Sequence, residues 1–196
     1  MQIGLFLDRD GTINEEVDFL SSPNELRLIP CSAAAIHEAN QLGLKVFITT
    51  NQSGIARGML TEHDLTEVHN KLLSLLRNEQ AHIDAVYFCP HHPDFGNPPY
   101  RRECDCRKPN IGMLEQAAKE FDIDLHKSFV VGDRLIDIQT GNNAGAVSIL
   151  VLTGYGKEEQ KLLQQNHVRV DHTANDLHDA VQYIKRALHQ EQPSLS

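Results

Sequence analysis

The chain has 196 residues, of which 40% are hydrophobic and 23% charged: enough apolar material for one packed domain, too much for wholesale disorder. Lys and Arg total 18 against 27 Asp and Glu, a formal charge of −9, which argues against a nucleic-acid binder relying on general basicity. No apolar run approaches the roughly 18 residues a bilayer span requires, and the opening Met1 to Asp8 lacks a basic leader, so a cytoplasmic chain without a membrane partner is expected.

Short apolar runs alternate with segments of helical period. Ile3 to Leu7 reads as a buried strand that stops at Asp8. Ser32 to Leu42 reads as a helix, with Ala33, Ile36, Ala39 and Leu42 along one side and Gly43 ending it. Lys45 to Thr49 is the next strand. Thr61-Glu62-His63-Asp64 has the form of a capping box, and Leu65, Val68, Leu72, Leu75 and Leu76 follow at helical spacing. Ala85 to Phe88 predicts a third strand, leading into a Pro-rich loop that reaches Pro109. Beyond it come a helix from Ile111 to Phe121, a strand from Ser128 to Val131, a helix from Leu135 to Ala144 and a strand from Ser148 to Leu152. Val168 to Val170 predicts a short edge strand. Leu177, Ala180, Val181, Ile184, Ala187 and Leu188 predict a last amphipathic helix. The expectation is one domain over 1–188, with the loop 89–109 inserted and a loose polar tail over 189–196.

Strands alternating with helices in this way predict an α/β fold in three layers, a parallel central sheet covered on both faces. Ligands of such sheets sit beyond the carboxyl ends of the strands, where this chain places Asp8, Asp10, Thr50, Asn51, Cys89 and Asp133.

In Asp8-Arg9-Asp10-Gly11-Thr12, two carboxylates leave a strand end on the same side. One carboxylate can attack phosphorus while its neighbour shuttles a proton to the leaving oxygen, and a divalent cation such as Mg²⁺ offsets the crowded charge. Alone, the pattern is no more than a polar turn. Asp133 ends a later strand and can complete the Mg²⁺ site, with Asp137 one helical turn on as a supporting residue. Thr50-Asn51-Gln52-Ser53-Gly54 offers hydroxyl, amide and backbone N–H groups for a phosphate cradle. Arg107 and Lys108 are adjacent cations: Lys108 can stabilise a transferring phosphoryl group and Arg107 can fork onto a second anion.

Cys89-Pro90-His91-His92 and Cys104-Asp105-Cys106 supply four ligands for a closed tetrahedral Zn²⁺ site. His91 is the expected fourth ligand, with His92 open on spacing. A Cys104–Cys106 redox pair is the plainer alternative. Cys31 reads as a small core or boundary residue, and the remaining histidines, His69 among them, as surface or capping residues.

Taken in order, Asp-x-Asp-Gly-Thr, Thr-Asn, Lys and Gly-Asp-x-x-x-Asp resemble the haloacid dehalogenase-like phosphohydrolases. The resemblance implies a Rossmann-like core without a large cap. It implies Asp8 as nucleophile, Asp10 as general acid and base, Thr50 and Lys108 holding the phosphoryl group, and Mg²⁺ on Asp8, the Asp10 carbonyl and Asp133. Phe6 to Asn14, Thr50 to Gly58 and Cys104 to Pro109 further resemble the branch acting on heptose bisphosphates, which implies a phosphorylated sugar as partner and Glu16, Phe19, Asn51, Gln52, Ser53, Arg107 and Arg134 around it. The histidinol-phosphatase branch shares the Cys-Pro-His and Cys-Asp-Cys-Arg-Lys-Pro motifs. The heptose branch carries an Asp-x-Gly-Tyr stretch where this chain reads Glu15-Glu16-Val17-Asp18-Phe19. A monomer is expected. Rivals of other classes are a receiver-like signalling domain, which would hold phospho-aspartate rather than turn it over, and a zinc-organised nucleic-acid module, disfavoured by the charge.

Overall fold

The computed structural model describes residues 1–190. Six strands form one parallel sheet: β1 (Gly4–Leu7), β2 (Lys45–Asn51), β3 (Ala85–Cys89), β4 (Phe129–Gly132), β5 (Val147–Val151) and β6 (His172–Ala174). Their order across the sheet is β3-β2-β1-β4-β5-β6, so β1 lies inside it and the chain reverses direction on either side of it. The helices are α1 (Ser32–Gln41), α2 (Glu62–Asn78), α3 (Gly112–Phe121), α4 (Leu135–Ala144), α5 (Gly156–Gln165) and α6 (Leu177–Gln190).

Strand residues alternate between two buried faces, which is why the strands read as continuous apolar runs rather than as apolar–polar alternation. Leu5 and Leu7 of β1 pack with Ile36 of α1, Leu72 of α2 and Ile184 of α6. Phe6 points the other way, stacking on Phe47 at 5.1 Å among Met113 and Leu114 of α3 and Ala144 of α4. Ile138, Leu150 and Leu163 extend that second layer under α5.

Several details depart from the sequence pattern. β2 runs to Asn51, because Thr50 and Asn51 ladder with Phe88 and Cys89 of β3. The edge strand is His172–Ala174, not Val168 to Val170. Val168 and Val170 instead pack against Ile138, Leu150 and Leu163, and an apolar alternation that serves this packing looks like a strand. α5 has no counterpart in the apolar pattern: its residues are mostly Lys, Glu and Gln, and only Gly156 and Leu163 are buried. α6 includes His189 and Gln190, so those two are helical rather than loose; 191–196 lie outside the described residues. Cys31 is exposed, not a core residue, and precedes α1 with a left-handed φ of 65°.

Candidate active site

β1 ends at Leu7, and Asp8 still donates its N–H to the carbonyl of Val131 at 2.9 Å, so the first carboxylate leaves the sheet from a fixed backbone. The chain then turns on itself: Ile13 N–H bonds the Arg9 carbonyl at 2.9 Å, and Gly11 N–H the Asn14 carbonyl at 2.8 Å. Gly11 has φ +77°, and a Cβ there would lie 2.2 Å from Asp133 Oδ2. Glycine is required on both counts.

Asp10 is ringed by donors. Arg9 Nη2 reaches its oxygens at 2.9 and 2.6 Å and Nε at 3.0 Å, Asn14 Nδ2 at 2.9 Å and Gln52 Nε2 at 3.1 Å. Burial alone would raise the Asp10 pKa, but the Arg9 guanidinium and these bonds outweigh it and hold the carboxyl below its usual range. Arg9 is itself wholly buried, and its Nη1 meets His69 Nε2 at 3.1 Å. Guanidinium only donates, so His69 Nε2 accepts and the ring's proton sits on Nδ1. Burial first, then the Arg9 charge, pushes the His69 pKa down to about 3, which keeps that lone pair available. His69 is therefore not the surface residue the sequence suggested. It is the inner anchor of the Arg9–Asp10 pair.

Lys108 is buried, and its three protons have three acceptors: Asp8 Oδ1 at 2.7 Å, the Thr49 carbonyl at 2.8 Å and Asp137 Oδ1. Burial disfavours the ammonium, but Asp137 and Asp8 overcome it and hold the Lys108 pKa above the usual lysine range. Asn51 clasps the Lys108 backbone at both ends, its Oδ1 accepting the N–H and its Nδ2 donating to the carbonyl, each at 3.1 Å. Its amide is thus committed to placing Lys108.

Asp133 closes β4 and is wholly buried; Oδ2 accepts from Tyr155 N–H at 2.8 Å, while buried Oδ1 has no partner. Asp8, Asp133 and Asp137 each bring a carboxylate oxygen within 4.8 Å of the others. Desolvation, opposed by Lys108 and reinforced by Asp137 and Asp10, pushes Asp8 up to about 7. Desolvation with the charges of Asp8 and Asp137 pushes Asp133 up to about 8. Asp137 is already occupied by Lys108 and by the Arg134 N–H. The orphaned Asp133 oxygen beside Asp8 makes an all-oxygen donor set that suits a hard cation such as Mg²⁺.

These groups form the floor of an open pocket of about 320 Å³, which Asp8, Asp10, Thr50, Asn51, Lys108 and Asp137 share with Gln52, Ser53, Glu16, Asp18, Phe19, Arg107 and Arg134. Gln52 Nε2 also donates to Thr50 Oγ1 at 2.9 Å, tying that hydroxyl to the Asp10 network. Burial, then the Asp10 charge, pushes Glu16 up to about 7. The Arg134 guanidinium lies 4.5 Å from the centre of the Tyr155 ring, and Arg107 Nη1 donates to the His91 carbonyl at 3.1 Å.

Beside the pocket, Cys89, His91, Cys104 and Cys106 converge. Cys106 Sγ lies 3.0 Å from Cys89 Sγ, 3.3 Å from Cys104 Sγ and 3.4 Å from His91 Nδ1. The three cysteines of the cluster are free, and these separations are those of atoms that can share a metal, not of a disulfide. Burial, then the neighbouring thiols, drives the Cys89 pKa upward, and burial holds His91 below its usual value. His92 is turned away: its Nδ1 accepts from Asp94 N–H at 3.1 Å and its ring packs against Phe95 at 4.6 Å. Of the two histidines, His91 is the one that lies in the cluster.

Arg9, His69, Tyr155 and Arg57 are parts of the site that residue type and spacing do not single out. A buried arginine inside the Asp-x-Asp turn leaves no sequence signal, because its anchor lies 60 residues away. Arg57 stands in the Gly-containing loop after Thr50-Asn51-Gln52-Ser53, where an arginine looks like ordinary surface.

A family profile described as HAD-hydrolase-like matches residues 105–180. The D-glycero-D-manno-heptose-1,7-bisphosphate 7-phosphatase of Chlorobaculum tepidum is 43% identical over 183 residues, 90% of this chain and 91% of its own. The D-glycero-beta-D-manno-heptose-1,7-bisphosphate 7-phosphatase of Photorhabdus laumondii is 35% identical over 182 residues, 93% and 96% of the two chains. Among solved structures, the D,D-heptose 1,7-bisphosphate phosphatase of B. bronchiseptica, crystallised with magnesium and phosphate, matches with a TM-score of 0.83 and 35% identity over 95% of this chain and 99% of that one. With that identity over nearly its whole length, the chain belongs to the haloacid dehalogenase-like hydrolases, in the family of the heptose-1,7-bisphosphate 7-phosphatases.

Proposed function

We propose that this phosphatase removes the 7-phosphate of D-glycero-D-manno-heptose 1,7-bisphosphate through a phosphorylated Asp8. The observation that carries the chemistry is the placement of Asp8: a pocket-lining carboxylate on the innermost strands of the sheet, with one oxygen held by Lys108 and the other taken by none of these bonds. That second oxygen attacks phosphorus. The bond to the sugar oxygen breaks, and Asp10, once protonated, gives that oxygen its proton. Asp10 then takes a proton from water, which attacks the phosphoryl group, releases phosphate and restores Asp8. The donors around Asp10 favour its base form, the one that takes the proton from water in the second half-reaction; that proton is then the one given to the leaving oxygen of the next substrate. Lys108 and Thr50 flank the transferring group. Asp8, the Asp10 carbonyl and Asp133 would hold Mg²⁺, whose charge offsets that of phosphate and carboxylates crowded in one pocket. Glu16, Phe19, Gln52, Ser53, Arg107 and Arg134 would line the sugar.

Cys89, His91, Cys104 and Cys106 would hold Zn²⁺ as a closed, structural centre with no open position for substrate. Four free thiols suit a reducing compartment, in keeping with the cytoplasm. No helix of the described residues is long and apolar enough to cross a membrane. The reading is of a monomer acting on a small phosphorylated sugar without nucleic acid. The histidinol-phosphate and receiver-like readings are not favoured, given the family.

The test is phosphate release with Mg²⁺ from both anomers of the heptose bisphosphate, histidinol phosphate and an aryl phosphate. Repeated turnover with the highest kcat/KM on one heptose anomer is expected. Preference for histidinol phosphate, or a single stoichiometric phosphorylation of Asp8, would overturn the reading.

A further inference from the structure

One polar residue interrupts the buried face of α2. Leu65, Val68, Leu72 and Leu76 pack along it, and His69 is buried among them. The imidazole stands edge to face with the Phe88 ring, centroids 6.1 Å apart, and its Nε2 meets Arg9 Nη1 at 3.1 Å. A leucine would serve the packing; only an acceptor serves the arginine.

The Arg9 guanidinium is held at two corners of one rigid plane. Its Nε and Nη2 edge grips Asp10, Nε to Oδ1 at 3.0 Å and Nη2 to Oδ1 and Oδ2 at 2.9 and 2.6 Å. Nη1, at the remaining corner, goes to His69. A planar fork fixed at one edge can still pivot with the carboxylate it holds, and a second fixed corner removes that freedom. Asn14 and Gln52 also reach Asp10, each through a single bond. Without the His69 lone pair, Nη1 is a buried charged donor with no acceptor, which is costly enough to turn the guanidinium and Asp10 with it.

We infer that His69 is a positioning residue of the reaction: through Arg9 it fixes the direction of the Asp10 carboxylate, and so governs the hydrolysis of phospho-Asp8. Neither His69 nor Arg9 lines the pocket, so the effect reaches the reacting atoms only through Asp10. The inference rests on the proposed roles of Asp8 and Asp10, not on which sugar is the substrate. The two half-reactions call on Asp10 unequally when the ester is p-nitrophenyl phosphate. An Asp8 oxygen bonds to phosphorus, and p-nitrophenolate departs with the electron pair of its broken bond, needing no proton. In the second half-reaction water bonds to phosphorus and gives a proton to Asp10, while the bond from phosphorus to Asp8 breaks and phosphate leaves.

The experiment follows the whole chain with Mg²⁺ and saturating p-nitrophenyl phosphate in wild type, His69→Phe, His69→Leu, His69→Gln and Asp10→Asn. Rapid acid quench gives the fraction of enzyme phosphorylated on Asp8 at steady state. Turnover divided by that fraction is the rate constant of hydrolysis, and turnover divided by the remainder is that of phosphorylation. His69→Phe keeps the ring and drops its lone pair, and His69→Leu repeats the loss in another shape should the first not fold. In both, hydrolysis is expected to slow about tenfold, a part of the roughly 10²–10⁴ that an acid–base group supplies. Phosphorylation, and with it kcat/KM, should stay within about twofold of wild type. His69→Gln, whose amide oxygen can accept from Arg9, should restore hydrolysis, and Asp10→Asn should show the same one-sided loss more strongly. A merely structural role slows both constants together. That result, or hydrolysis unchanged without the lone pair, would overturn the inference, and a one-sided loss in Asp10→Asn would then leave the roles of Asp8 and Asp10 standing. If Asp10→Asn itself spares hydrolysis, the proposed mechanism and this inference fall together.

Discussion

Asp133 carries the plainest sign of a missing counter-charge. Its Oδ1 is buried and unpartnered, and its pKa is pushed up to about 8, with neighbouring Asp8 up to about 7. An acid whose folded pKa lies above its unfolded value near 4 contributes most favourably when both states are protonated. That contribution is lost as pH rises through the folded pKa. The magnesium-free protein should therefore lose stability from these two groups between about pH 4 and pH 8. A divalent cation pairs with the ionised carboxylates and removes the penalty. The increase in Tm on adding Mg²⁺ is thus expected to be small at pH 5 and larger at pH 8, compared in magnesium-free buffer rather than with a chelator, so that the cysteine cluster stays intact. A Mg²⁺ effect that is flat or shrinks across this range would contradict the assignment of Asp8 and Asp133.

At the scale of elements, the Cys89–Cys106 loop has its two ends joined at the Cys89, His91, Cys104 and Cys106 cluster. It is tied down at the cluster, by Tyr100 against Ile55, Leu60 and Leu65, by His92 N–H to the Tyr100 carbonyl at 3.1 Å and by Asn110 Nδ2 to the Cys104 carbonyl at 2.9 Å. Cys104→Ser should lower bound zinc from about one equivalent per chain to well below it, and open the loop to proteolysis between Pro93 and Glu103. Because β3 and α3 on either side are anchored in the sheet layers, far-UV circular dichroism should change little. Equal zinc content in the variant would refute the site. Strands β1 to β5 were legible in the sequence because they lie between packed layers and read as apolar runs, although in β2 the run ends before the strand does, where Thr50 and Asn51 ladder on with β3. α5 was illegible because its stability comes from Leu163 and from the Glu159 carboxylate accepting the Leu135 N–H at 2.9 Å, and not from an apolar stripe. The site followed the same division. Carboxylates, lysine and thiols at strand ends announce their chemistry by type and spacing. Arg9 with His69, and Arg57 with Phe95, work through partners 60 and 38 residues apart and are defined only by packing.

The whole molecule is organised around β1, which pairs with β2 on one side and β4 on the other. The groups around Asp8 consequently come from segments far apart in the chain: Lys108 is 100 residues away, and Thr153 Oγ1 reaches the Gly11 carbonyl across 142. Each parallel pairing encloses a crossover connection, and contacts of this separation form slowly because a long loop must close first. Helices can form locally while the site does not yet exist in any part. In refolding from denaturant, recovery of phosphatase activity should lag recovery of helical circular dichroism, with no fragment lacking β4 and β5 showing turnover. Coincident recovery in the first kinetic phase would argue against this. An enzyme whose proposed nucleophile sits at the meeting point of both halves of its sheet would report, by turning over at all, that the entire chain has arrived.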